Sequence, residues 1–198
     1  MARIGIFGGA FNPVHNGHLS LAENYLDALS LNKVLFIPTS VPPHKTAEYL
    51  VSGKDRINML KSAIAGNDNF EMTDIEFKRE GKSYTFDTIT QLKKIYQDDE
   101  LFLIVGSDQF FSFNNWYRAD DILSMVTVVT AAREDNEYKA LLDYKMNNKN
   151  MKNTIVSNFG VVEVSSSEIR EKIKKGADIS DLVPISVAYY IKENKLYV

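Results

Sequence analysis

The chain has 198 residues, is 44% hydrophobic and 25% charged, and sets Lys+Arg 23 against Asp+Glu 26 for a net charge of −3. That length supports one sizeable core, and the acidic balance argues against a broad basic face for DNA or RNA, while a locally positive pocket for a small anion stays open. Cysteine is absent, which removes disulfides, thiol catalysis and cysteine–zinc sites. Along the chain, short apolar runs alternate with longer helical patterns. Strands are expected at 3–7, 33–37, 70–75, 101–105 and 125–130, with a weaker sixth near 160–164. Helices are expected over 17–29, 52–65, 85–96, 136–146, 166–174 and 184–193. Several strand candidates are apolar throughout, as suits strands covered on both faces. The alternation predicts an α/β fold: a doubly wound parallel sheet with helices on both faces. A single domain is expected over 1–198, with a C-terminal helical part from about residue 165 packed on it. The polar stretch 143–154 reads as a surface turn. The longest apolar stretch, 122–132, contains Ser124, Thr127 and Thr130 and is too short to span a bilayer. The first residues lack a secretory pattern, and the cytoplasm is the expected compartment.

The densest signal follows the first strand: Gly9-Ala10-Phe11-Asn12-Pro13-Val14-His15-Asn16-Gly17-His18. It reads G-x-F-x-P-x-H-x-G-H and holds two of the three histidines. Imidazole donors at that spacing, where a helix begins, suit phosphate oxygens. The motif is not the dinucleotide fingerprint, because G-x-G-x-x-G is missing after the first strand. The second strand also runs into Pro38-Thr39-Ser40 and not into an acid that would hold a ribose. In doubly wound sheets ligands bind beyond the carboxyl ends of the strands, at the switch point. The loops after strands one, two, four and six therefore converge on a site. They carry Gly8 to His18, the stretch from Pro38 to Lys45, Gly106-Ser107-Asp108, and Ser165-Ser166-Ser167-Glu168-Ile169-Arg170. The serine run reads locally as a helix cap, and Arg170, one turn on, as a bidentate phosphate donor. The loop from 38 to 50 is long and proline-bearing, as suits a mobile cover.

The H-x-G-H element resembles the signature of the adenylyltransferase/cytidylyltransferase superfamily. Val164-Ser165-Ser166-Ser167-Glu168-Ile169-Arg170 resembles its I-S-S-T-x-I-R motif. Pro42-Pro43-His44-Lys45, Ser83-Tyr84-Thr85-Phe86-Asp87-Thr88, Gly106-Ser107-Asp108 and Trp116-Tyr117 narrow this resemblance to the bacterial nicotinate-nucleotide adenylyltransferases, over nearly the whole chain. The resemblance implies a Rossmann-like fold and transfer of AMP from ATP to nicotinic acid mononucleotide. It implies Mg²⁺ accompanying ATP, no nucleic-acid or membrane partner, and no dedicated protein metal site; a homo-oligomer stays open. His18 and His15 take the catalytic places. Gly8, Gly9, Phe11, His15, His18, Gly106, Asp108, Arg133, Ser166, Ser167 and Arg170 are expected around ATP. Lys45, Tyr84, Thr85, Trp116 and the Tyr117 backbone are expected around the mononucleotide, with Trp116 stacked on the pyridine ring. His44 shapes the loop. Two positions depart from the pattern: Ala10 stands where relatives commonly have Ser or Thr, and Arg133-Glu134-Asp135 where they usually have Arg-Pro-Gly. Two alternatives stay open: an adenylyltransferase for nicotinamide mononucleotide or another small phosphate, and a nucleotide-binding sensor without turnover.

Overall fold

A computed structural model describes residues 1–43, 49–160 and 164–198. Six strands form one parallel sheet: β1 (Arg3–Gly9), β2 (Lys33–Pro38), β3 (Phe70–Met72), β4 (Glu100–Val105), β5 (Thr127–Ala132) and β6 (Ile155–Asn158). Their order is β3-β2-β1-β4-β5-β6, the doubly wound arrangement in which the chain works outward from β1 on one side and then from β4 on the other. Register runs Ile6 to Leu35 across β1–β2 and Ile6 to Leu103 across β1–β4. Loops leaving β1 and β4 diverge, and their divergence opens the crevice that the site uses.

Each central strand is apolar at successive positions because both of its faces are covered. Val34 and Phe36 of β2 point into one core, and Leu35 and Ile37 into the other. The first core is closed by α1 (Asn16–Ala28), α2 (Gly53–Ile64), α7 (Ser166–Lys174) and α8 (Ile185–Glu193). These supply Tyr25, Leu60, Ile169 and Val187 among others. The second is closed by α3 (Thr85–Ile95), α4 (Ser107–Phe111), α5 (Ala119–Met125) and α6 (Asp135–Asn147), through Leu92, Phe110, Ile122 and Leu141. The C-terminal helices thus share a core with β1. Among the described residues, no helix is long and apolar enough to cross a membrane.

Four expectations are corrected. The third strand stops at Met72, because Asp74 turns the chain into a 3-10 segment, Ile75–Lys78. The sixth strand lies at Ile155–Asn158, paired with β5, and the chain then turns at Gly160 (φ 63°). Positions 161–163 of the expected strand lie outside the described residues. The stretch 143–154 is no simple turn. Helix α6 runs on to Asn147, and a 3-10 segment, Lys149–Asn153, then drives Met151 fully into the core. The fifth strand, expected at 125–130, runs Thr127–Ala132, because Met125 still belongs to α5 and the extended backbone of Val126 ends that helix.

Candidate active site

β1 ends at Gly8-Gly9, and the next turn carries Phe11 at φ 45°, an unfavourable backbone for an aromatic residue. Burial offsets the strain: the Phe11 ring is 1% exposed and packs edge-on to Phe7 and His18, with centroids 5.8 and 5.1 Å away. Asn12 then ties four segments together. Its amide donates to the Tyr49 carbonyl at 2.7 Å, and its Oδ1 accepts from the Tyr197 hydroxyl at 2.8 Å and from the Val51 N–H at 3.3 Å. Its own carbonyl accepts from Arg170 at 2.8 Å.

His15 caps α1 and His18 sits one turn inside it, so the helix stacks their rings at 3.6 Å. The His15 N–H donates to His18 Nδ1 at 3.2 Å. Burial holds His18 well below its ordinary imidazole pKa, and the neighbouring His15 adds to this. A neutral imidazole whose Nδ1 accepts a hydrogen bond carries its proton on Nε2. His18 therefore offers the cleft an uncharged Nε2–H donor. His15 is lowered from 6.5 to about 4, first by burial and then by the charge of Arg133. Both imidazoles are therefore neutral donors at neutral pH. His15 Nδ1 is buried without a partner among the described residues, an unsatisfied polar atom of the kind a ligand completes.

The His15 shift has a stability consequence. Below about pH 6.5 the unfolded chain takes a proton that the folded chain refuses. Folded stability should therefore fall as pH drops from 6.5 to about 4, and then level off. The full loss from this one group is about 3 kcal/mol. Urea midpoints across that window should fall less steeply in His15→Asn than in the wild type; equal slopes would contradict it.

The second anion-binding element comes from the far end of the chain. Ser165 caps α7 by accepting from the Glu168 N–H at 3.1 Å. The Ser166 hydroxyl donates to the Pro13 carbonyl at 2.9 Å, and Arg170 donates through Nη2 to the Ser167 hydroxyl at 3.0 Å. The serine motif is thereby fastened directly onto the histidine motif. At the end of β4, Gly106 lets the exposed Asp108 carboxylate sit close to the backbone: a Cβ there would stand 2.8 Å from it and push that side chain aside. Tyr84 precedes α3 and Thr85 opens it, and the Tyr84 ring lies 4.8 Å from that of Tyr117. Trp116 is half-buried and packs on Phe113 at 4.8 Å.

All these groups line one cleft of about 580 Å³, a volume within the range of small-molecule sites. Gly8, Gly9, Phe11, His15 and His18 enter from β1 and α1. Gly106 and Asp108 come from the end of β4, Arg133 from the end of β5, and Ser166, Ser167 and Arg170 from α7. Tyr84, Thr85, Trp116 and Tyr117 form another part of the lining. Lys45 and His44 lie outside the described residues. So does the middle of the expected cover, although Pro42, Pro43, Tyr49 and Leu50 line the cleft. Glu76, Ser83 and Thr88 also line it. Glu76 lies in the 3-10 segment after β3, just beyond the strand expected at 70–75, and no local pattern marks it.

The Cytidylyltransferase-like family model matches residues 6–172. The nicotinate-nucleotide adenylyltransferase of Bacillus subtilis (strain 168) is 37% identical over 197 residues, spanning 100% of this chain and 99% of that protein. A Clostridium tetani protein named "Probable nicotinate-nucleotide adenylyltransferase" is 40% identical, with 100% of both chains covered. The chain belongs to the nicotinate-nucleotide adenylyltransferase family. Its fold is that of the Plasmodium falciparum nicotinic acid mononucleotide adenylyltransferase complexed with NaAD, at TM-score 0.81 and 19% identity, covering 100% of this chain and 98% of that one. After β5, Glu134 caps α6 and Glu137 accepts from the Arg133 N–H at 2.6 Å. The chain thus turns from β5 straight into a helix at Arg133-Glu134-Asp135.

Proposed function

We infer that the chain transfers AMP from ATP to nicotinic acid mononucleotide, yielding deamido-NAD and pyrophosphate in NAD biosynthesis. One observation carries this reading. The two histidines, Arg170, the S-Y-T turn and Trp116 arrive from distant parts of the sequence and line the same cleft at the sheet's switch point. Relatives at about 40% identity over the full chain bear the name of this activity.

In the proposed reaction a phosphate oxygen of the mononucleotide bonds to the α-phosphorus of ATP. The bond from that phosphorus to the bridging oxygen breaks, and pyrophosphate departs with the electron pair. The nucleophile is already an anion, so a general base is unnecessary. Catalysis then rests on in-line positioning and on donors aimed at oxygens that gain charge. His18 donates Nε2–H to the α-phosphate, supported by His15. Arg170 and the Ser166 and Ser167 hydroxyls meet the β- and γ-phosphates, with the backbone of Gly8, Gly9 and Phe11 beside them. Gly106 and Asp108 face the ribose, and Arg133 borders the adenine. Trp116 stacks on the pyridine ring, an offset contact that suits two flat aromatic systems. Tyr84, Thr85 and the Tyr117 backbone face its carboxylate, and Lys45 is assigned the mononucleotide phosphate.

Among the described residues, no three His, Asp or Glu side chains are grouped to hold a metal ion. We assign Mg²⁺ to the nucleotide substrate: it would travel with the ATP phosphates and water, and would supply charge neutralisation at the departing pyrophosphate. The cytoplasm is the compartment proposed with this reading.

The test is a paired assay of nicotinic acid and nicotinamide mononucleotides with MgATP. Donors set for a carboxylate predict kcat/KM higher for the acid by about 10- to 100-fold, the scale of a hydrogen bond to a charged group. Equal or better use of the amide would transfer the assignment to that substrate. ATP binding without pyrophosphate release would make the chain a sensor.

A further inference from the structure

Arg56 is the largest fully buried side chain outside the cleft's lining, at 1% exposure. It lies on α2, and its guanidinium spends its donors on backbone carbonyls of three segments. Nη1 donates to Thr39 at 2.6 Å and to Ala10 at 2.9 Å, Nη2 to Ser40 at 3.4 Å, and Nε to Val51 at 3.4 Å. Ala10 belongs to the turn of the histidine motif. Thr39 and Ser40 begin the loop after β2.

Glu76 holds the same loop from the opposite side. It is 6% exposed; its Oε2 accepts from the Ser40 N–H at 3.3 Å and its Oε1 from the Thr88 hydroxyl at 2.7 Å. Thr88 lies in α3, one turn beyond Thr85. Ser83 completes the attachment: its N–H donates to the Val41 carbonyl at 2.9 Å, and its hydroxyl oxygen accepts from the Val41 N–H at 3.2 Å. A buried charge bonded only to backbone carbonyls, with the Glu76 carboxylate acting on it without a direct contact, is an expensive way to fill space, and an apolar side chain of equal size would pack there at less cost. The planar fork does what no apolar group can: it spans separate loops in fixed geometry.

We propose that Arg56 and Glu76 are a pair of positioning residues, which clamp the Thr39–Val41 segment between the Ala10 turn and α3. The clamp fixes the spacing between the part of the cleft assigned to ATP and the part assigned to the mononucleotide. This role rests on the adenylyl-transfer reading above. Neither side chain is assigned a contact with a reacting atom; the effect on the reaction is through alignment, where displacements of an ångström are costly.

Arg56→Lys keeps the charge but cannot span the loops, and Glu76→Gln keeps the shape but removes the charge. For each variant, melting temperature, the Kd of each substrate alone, and kcat per titrated active site are measured. The expected result is each Kd within about threefold of wild type and kcat about tenfold lower. The double variant should be little slower than Arg56→Lys, since both act through one segment. Folded variants with wild-type kcat, a defect confined to substrate affinity, or failure of both variants to fold would each overturn the clamp. A wild-type protein that makes no deamido-NAD would instead overturn the reading on which it rests.

Discussion

Replacing His18 by alanine is expected to lower kcat by about 10²–10³-fold, the scale of losing one preorganised donor to a developing oxyanion. His18 has one free donor, Nε2–H, because Nδ1 is occupied by the His15 N–H at 3.2 Å. Its ring is held among Phe7, Phe11 and His15, so the donor is already oriented before substrate arrives. A donor that tightens onto the α-phosphate only as charge builds affects turnover more than ground-state binding. KM for ATP should therefore move by less than about fivefold. Alanine also strands the His15 N–H at the start of α1, which lowers stability. His18→Asn separates the two effects, because its side-chain oxygen can accept that N–H. It should recover melting temperature while kcat stays low. Near-normal turnover by either variant would remove His18 from the mechanism.

Arg170→Ala should act on the other side of the rate law. In the free protein Arg170 joins Asn12 to Ser167, and so binds the serine motif to the histidine motif. With ATP bound it is assigned the terminal phosphates, a charge-assisted contact worth about 1.5–3 kcal/mol. KM for ATP should rise by about 10- to 100-fold, while KM for the mononucleotide stays near its wild-type value. Arg170→Lys keeps the charge but not the fork, so it should recover only part of the loss. An equal rise in both KM values would mean that Arg170 shapes the whole cleft and does not serve the triphosphate in particular.

These residues were legible in the sequence for different reasons. His15 and His18 stand in a contiguous motif, and such a motif survives without knowledge of the fold. β1, β2 and β4 were legible because strands covered on both faces are apolar at every position. β6 was misplaced because it is a short edge strand, half-polar at Ser157 and Asn158. Helices α4 and α5 are five and seven residues long, too short to display a helical period. Arg56 illustrates a deeper limit. On α2 it reads as one more surface charge, and only the packing of α2 beneath the loops after β1 and β2 turns it inward. The neutrality of the two imidazoles is likewise invisible in a motif, since it depends on Phe7, Phe11 and the stacking of one ring on the other. Tyr197, bonded to Asn12 across 185 positions, could be placed by nothing local.

The most direct test of the account follows the α-phosphorus itself. The protein is incubated with nicotinic acid mononucleotide and MgATP isotopically labelled at that atom, and the products are separated. Adenylyl transfer predicts label in a dinucleotide that co-migrates with deamido-NAD, with unlabelled pyrophosphate formed in equal amount. Label retained in ATP, or released as AMP with no dinucleotide formed, would contradict it.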